Sequence, residues 1–242
     1  SGNTTCIITF RCDYSNISNN IFNGGCSTIY YKHYGISETH NVFRNNWVRH
    51  GSGAATAGAT FGCGVLINTQ FGVFENNIIE TDGTSPESNP AVKLTDADGS
   101  TNQGAWGNIF RRNTFVGPIH FGYNSDRYSK DNILTYNIIV GRQAFNLYTS
   151  TAHTTQMDNN LVRNASNSMW ENRATATTLA SWQSSHDGVY ECTNCVAAAP
   201  KFMGTGDSSK QTSIANYALR EDSPGYGLGI GADVTLVGPD AG

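Results

Sequence analysis

From residue 16 to residue 162 the chain repeats one local arrangement: an apolar position, a polar pair ending in Asn, then another apolar position. It reads "NVFRNNWV" at 41–48, "FGVFENNII" at 71–79, "GNIFRRNTFV" at 108–116, "DNILTYNIIV" at 131–140 and "QMDNNLV" at 156–162. With the last Asn as anchor, the copies fall at Asn20, Asn46, Asn77, Asn113, Asn137 and Asn160, spaced by 26, 31, 36, 24 and 23 residues. Three positions before each anchor stand Ile17, Phe43, Phe74, Phe110, Leu134 and Met157; two positions after stand Phe22, Val48, Ile79, Phe115, Ile139 and Val162. A glycine follows in most copies (Gly24, Gly51, Gly83, Gly117, Gly141). Short runs with one apolar face, bounded by Asn and Gly, predict β-strands on both sides of a sharp corner.

A second set of strands is predicted after the glycines. "CSTIYYKHYG" (26–35) and "CGVLINTQFG" (63–72) align Cys to Cys and Gly to Gly; "CIITFRC" (6–12), "AVKLTD" (91–96), "PIHFGY" (118–123) and "AFNLYT" (144–149) complete it. Alternation then predicts two inward columns, Ile8–Thr28–Val65–Val92–Ile119–Phe145 and Phe10–Tyr30–Ile67–Leu94–Phe121–Leu147, and places Cys6, Cys26 and Cys63 in one column. No single unit can bury its own apolar face, but stacking units at ~4.8 Å builds a continuous core, as in a solenoid. A β-sandwich would show Asn-Gly hairpins and strands every ~8–12 residues. A left-handed hexapeptide solenoid would need a strict six-residue repeat, which is missing.

Asn tolerates the left-handed backbone that a tight corner demands, and stacked Asn side chains can pass hydrogen bonds from coil to coil. On these residues the chain resembles the right-handed parallel β-helix superfamily, the pectin-lyase-like folds, over about residues 5–165. The resemblance implies an all-β, right-handed parallel β-helix solenoid with about six recognisable coils and an Asn ladder in 1–165. Residues 166–242 then supply C-terminal coils and a capping segment, within which "ATATTLASWQSS" (174–185) predicts a short helix. The phrase "NYALREDSPGYGLGIGADV" resembles the closing segment of many bacterial β-helix proteins. It also implies that the outward sheet face and the turns beside it form a groove for acidic polysaccharide.

Composition narrows the function. Charged residues make up only 14% of the 242, the formal net charge is -4, and there is no basic footprint, so nucleic acid is not expected as a partner. No apolar stretch approaches the ~20 residues of a membrane span. The N-terminal "SGNTTC" carries no signal-peptide pattern, as in a mature or trimmed chain. Of six cysteines, Cys192 and Cys195 form a C-x2-C; without a second ligand pair this predicts a local disulfide or thiols rather than zinc.

The densest predicted outward cluster is Lys93 beside His120, with Asp96 and Tyr123 one row on. A β-eliminating lyase needs a base for the proton α to a uronate carboxyl, a cation for the enolate and an acid for the leaving oxygen. Lys93 or His120 fits the base, Tyr123 the acid, and Arg127 or Lys130 the carboxylate partner; Tyr31, Lys32, Asp96 and Tyr148 are candidates for holding sugar. Asp96, Asp98 and Asp126 are a candidate calcium set, the one cofactor considered. Hydrolysis by paired acids such as Asp96 and Asp98 is the weaker alternative. The competing class is non-catalytic: a phage tail spike or fibre, adhesin or filament subunit, trimeric or filamentous, using Tyr31, Trp47, Tyr123 and Tyr148 to stack on sugars. Either class places the protein outside the cell, on a cell surface or on a virion.

Overall fold

The computed structural model describes residues 5–10, 12–24, 27–32, 39–50, 63–81, 90–94, 104–121, 129–141, 145–147, 155–163, 169–171, 175–185, 192, 194–204 and 211–239. It is an all-β structure of short strands stacked into three parallel sheets, the arrangement of a parallel β-solenoid. The first sheet stacks Thr5–Phe10, Ser27–Lys32, Cys63–Asn68, Val92–Leu94, Ile119–Phe121, Phe145–Leu147 and Met169–Glu171. The second and third sheets hold the strands before and after each Asn, for example Val73–Glu75 and Ile78–Glu80. Every strand pair in the stack is parallel until Thr175–Thr177 turns back antiparallel on Met169–Glu171. The helix predicted over 174–185 is thus shorter: β-branched Thr175 and Thr177 extend, and Leu179–Ser185 is helical. Thr178 starts that helix, its hydroxyl accepting from Ser181 N at 3.0 Å.

The columns beside the Asn anchors pair as predicted. Phe43, Phe74 and Phe110 are in register and buried, with ring centroids 6.1 Å and then 4.8 Å apart. Val48, Ile79, Phe115, Ile139 and Val162 line the other side of the same core.

The first two strands of the first sheet differ in register. Ser27, not Cys26, pairs with Cys63, so Ile29 lies opposite Val65 and Tyr31 opposite Ile67; on the preceding strand Ile7 pairs Ile29. Matching cysteines had shifted both strands by one relative to Cys63–Asn68, in opposite directions, and a one-residue slip exchanges the two faces, so Ile7 and Ile29 replace Ile8 and Thr28 at the level of Val65. The shift brings Ile7, Ile29, Val65, Val92 and Ile119 into one β-branched column. The three-cysteine column disappears: Thr5, Ser27 and Cys63 share that level, and Cys6 does not.

The asparagines form one continuous ladder. Asn113 is fully buried. Its Oδ1 accepts from the backbone N and from Nδ2 of Asn77, both at 2.9 Å, while its Nδ2 donates to Phe74 O at 2.8 Å and to Asn137 Oδ1 at 3.0 Å. Both lone pairs and both protons are used. Asn46, Asn77 and Asn137 repeat the scheme, and Asn20 and Asn160 sit at its ends. In the next turn Val196 pairs with Leu161, so Cys195 occupies the ladder position, and its Sγ accepts from Asn160 N at 3.4 Å and Nδ2 at 3.6 Å. Cys195 thus takes the next ladder position without the left-handed residue before it, and it is bridged to Cys192.

The ladder asparagines do not carry the left-handed backbone. Positive φ falls one residue earlier, at Asn19, Asn45, Asn76, Arg112, Tyr136 and Asn159. The first Asn of the pair turns the corner and the second ties the coils. A second column, five residues before each anchor, was not anticipated: Ser15–Asn41, Gly72–Asn108 and Asn108–Asn132 are linked by side-chain acceptors at 2.9, 2.9 and 3.1 Å. It too follows left-handed residues, Tyr14, His40, Phe71, Gly107 and Asp131.

The closing segment, expected as a cap, runs in its described part along the third sheet. Gly231 N donates to Tyr136 O (2.7 Å), Ala232 N to Thr114 Oγ1 (3.1 Å), Asp233 N to Asn76 Oδ1 (2.5 Å) and Gly238 N to Asn45 O (2.9 Å). It thus descends the asparagine corner against the direction of stacking. Phe202, Tyr217, Ile230 and Val237 bury the outer side chains Trp47, Ile78, Ile138 and Leu161 in a second apolar cluster. Leu179 and Cys192 join the main core beside the last turns.

Replacing Asn113 by Ala removes four buried hydrogen bonds and leaves each of two donors and two acceptors one bond short, and should lower unfolding free energy by roughly 3 kcal/mol or more. Asn76→Gly, at the left-handed position, removes the side-chain bonds to Asn45 and Asp233 but keeps the corner, and should cost no more than about 1–2 kcal/mol. Denaturant midpoints of the two variants measure the ordering. Phe74→Ala should cost ~3–5 kcal/mol, because hydrogen-bonded neighbouring coils cannot collapse into the void; a loss below about 1 kcal/mol in the same measurement would contradict this packing.

Candidate functional site

The middle column of the first sheet runs Ile8, Tyr30, Leu66, Lys93, His120, Asn146 and Trp170. Lys93 and His120 are direct cross-strand partners, as predicted. Short strands Val92–Leu94 and Ile119–Phe121 hold them because their flanking residues, Val92, Leu94, Ile119 and Phe121, plug into the core and fix the alternation. Both polar side chains are nonetheless buried, Lys93 6% exposed and His120 0%. The sequence had placed this face in solvent. Burial holds the His120 pKa well below 6.5, and the charge of Lys93 lowers it further. The imidazole is therefore neutral at neutral pH beside an ammonium stem. A neutral imidazole next to a cation can accept a proton from an acidified carbon or orient a carboxylate-bearing ligand.

The other candidates divide. Tyr31 moves by the register shift to the level of Ile67 and Leu94, the column that plugs into the core on neighbouring strands, and Lys32 pairs with Phe10 and Asn68. Lys130 lies at the corner before the second sheet, its Nζ 5.1 Å from the Trp106 ring centroid and 3.9 Å from Asp131 Oδ2. Tyr123, Arg127, Asp96 and Tyr148 lie outside the described residues, as do the calcium candidates Asp98 and Asp126. Among the described residues no cluster of three or more His, Cys, Asp or Glu side chains converges, and no helix is long and apolar enough to cross a membrane.

Two groupings were not foreseen. At the corner before the second sheet, Tyr14, His40 and Phe71 stack on successive turns with centroids 5.2 and 5.6 Å apart, Tyr14 being exposed. The signal was present as an aromatic or His six residues before the anchors Asn20, Asn46 and Asn77. Under the closing segment lies a buried polar knot. The Glu80 carboxylate accepts from Trp47 Nε1 and lies 3.6 Å from Arg49 Nε, and the Arg49 guanidinium sits 4.4 Å over the Trp47 ring. The Tyr217 hydroxyl accepts from Gln211 N at 3.0 Å and meets Glu80. Burial and then the charge of Glu80 drive the Tyr217 pKa far above the ordinary tyrosine value. With Glu80 fully buried and the Arg49 side chain 30% exposed, this knot fastens the segment to the third sheet.

Compared with family models, curated proteins and solved structures, the chain matches none of them.

The depressed pKa of His120 makes stability depend on pH. Between its folded pKa and 6.5 the unfolded chain binds more protons than the native one. The contribution is complete above 6.5 and is lost as pH falls through that window. Denaturant midpoints of wild type should therefore drop more steeply between about pH 7 and about pH 5 than those of His120→Asn, which has no proton to take up. Parallel curves for the two proteins would show that His120 titrates normally.

Proposed function

We propose that the protein is a right-handed parallel β-helix of the pectin-lyase-like kind, of about six coils, that works outside the cell on acidic polysaccharide. The observation that carries this reading is the cross-strand pairing of Lys93 with a His120 held neutral. In β-elimination the neutral imidazole takes the proton α to a uronate carboxyl, and the Lys93 ammonium offsets charge developing on the enolate. The chain's own candidates for the remaining roles are Tyr123 as acid to the leaving oxygen and Arg127 or Lys130 as partner of the carboxylate. Lys32, Asp96 and Tyr148 complete the sugar-holding set in this reading; Tyr31, at the level of the core column, drops out of it. The Cys192–Cys195 disulfide supports an oxidising compartment.

A specific observation favours a second reading. Lys93 and His120 are closed off from solvent, whereas the rings of Tyr14 and Phe71 are open along one corner of a stiff stack. A spike, adhesin or filament subunit, trimeric or polymeric, would use such a corner to bind glycan without cleaving it.

Incubation with polygalacturonate, alginate and hyaluronan, followed by ultraviolet absorbance of unsaturated uronates, separates the two. On the first reading wild type releases product, and Lys93→Met and His120→Asn each lower turnover about 100-fold or more with unchanged circular dichroism. On the second no product forms, the polymers bind, the protein sediments as an oligomer, and Tyr14→Ala or Phe71→Ala weakens binding. Wild type that neither cleaves nor binds any of them overturns both.

A further inference from the structure

Of the two groupings already described, the Glu80 knot has its polar groups engaged with one another and the aromatic column belongs to the second reading above. A third feature lies elsewhere. Where the closing segment crosses the asparagine corner, it leaves an open cleft of about 440 Å³ between itself and Arg112. Arg112 and Tyr136 are the two corner positions not occupied by Asn, and both hold the left-handed backbone, at φ 54° and 58°. Asn adopts that conformation readily; Arg does so at a cost of order 1 kcal/mol, so its presence needs a reason other than the turn. Among the described residues the Arg112 guanidinium has no carboxylate partner, whereas the next arginine, Arg111, is paired with Glu75 at 2.8 Å.

The opposite wall is built from glycine. Gly225, Gly227, Gly229 and Gly231 all have positive φ, alternating with Tyr226, Leu228 and Ile230. A side chain at Gly229 would point toward Arg112 Nη2, 4.0 Å away, and one at Gly227 would enter empty space. No described residue accepts from the N–H of Gly227 or Gly229. Backbone of alternating hand presents such N–H groups to a common anion. Tyr226, about half exposed, adds an aromatic ring to the lining. The one carboxylate there, Asp233, is engaged by Thr235 N and Oγ1 at 3.0 and 2.7 Å.

We infer that this cleft is a second binding site, separate from the Lys93–His120 face, for a carboxylate-bearing sugar residue. Arg112 takes the carboxylate in a two-pronged hydrogen bond, glycine N–H groups serve its second edge, and Tyr226 packs on the ring face. The inference rests on the glycan-directed reading for its ligand class but on different residues for its geometry.

Titration of the full chain with trigalacturonate, observed by calorimetry, tests it, with the methyl-esterified trimer as the uncharged counterpart. Arg112→Gln should weaken trigalacturonate binding roughly tenfold, and Tyr226→Ala several-fold. The ester should bind wild type as weakly as the acid binds Arg112→Gln, while Arg44→Gln, at an exposed arginine outside the cleft, leaves the affinity unchanged. Both cleft positions are exposed, so thermal melts should stay near wild type. If Lys93→Met abolishes binding and Arg112→Gln does not, the cleft is refuted and the sheet face stands alone. Equal affinity for acid and ester, or no binding of the acid by wild type, also overturns the inference.

Discussion

The fold depends on one repeated interaction, the four-bonded asparagine. A buried primary amide has two protons and two lone pairs to satisfy, and each interior ladder Asn satisfies all four. Two of its partners are the next and previous asparagines, and two are backbone groups of the preceding coil. The side chain therefore substitutes for the backbone pairing that a sharp corner interrupts, and it fixes the vertical register of the strands on both sides. The core columns of Phe43, Phe74 and Phe110, and of Val48, Ile79 and Phe115, follow from that register.

A ladder needs an ending, because the last amide still has donors to place. Here the chain changes residue type: Cys195 takes the position above Asn160, and its sulfur is a weak acceptor that makes no demand on a further coil. The disulfide to Cys192 holds that sulfur in place and carries Cys192 into the core. The closing segment solves a different problem. The third sheet is apolar on its outer side as well as its inner one, and only a second layer can cover it. Glu80, Arg49, Trp47 and Tyr217 fasten that layer, a polar knot in which each group depends on the others being present.

The same layering shapes the candidate sites. On the first sheet the alternation that seats Val92 and Leu94 in the core also sets Lys93 beside His120, so an electrostatic pair arises from strand packing alone. On the asparagine corner, the strap's glycines allow close approach at Gly231 and leave room at Gly227 and Gly229, and the cleft opens where Arg112 replaces an Asn.

By itself the sequence determined the stacking. A six-fold recurrence of Phe-x-x-Asn-x-Ile-like phrases leaves parallel strands on two sides of a corner as the arrangement that buries every copy, and the Lys93–His120 pairing follows from aligning the strands after the glycines. The sequence also held signals that alternation alone does not decode. Dipeptides such as Trp47-Val48, Ile78-Ile79 and Leu161-Val162 are apolar on both faces, which already implied a cover for the third sheet. Tertiary structure alone decided the rest. Whether Ser27 or Cys26 meets Cys63 depends on which residues fit the core, and one residue of slip inverts a strand. Which Asn turns the corner depends on backbone dihedrals that two adjacent identical residues cannot reveal. The burial of Lys93 and His120, the Glu80 knot and the cleft at Arg112 join residues as much as 162 positions apart, such as Arg49 and Gln211, and no local pattern encodes a contact made by chain that returns from so far away.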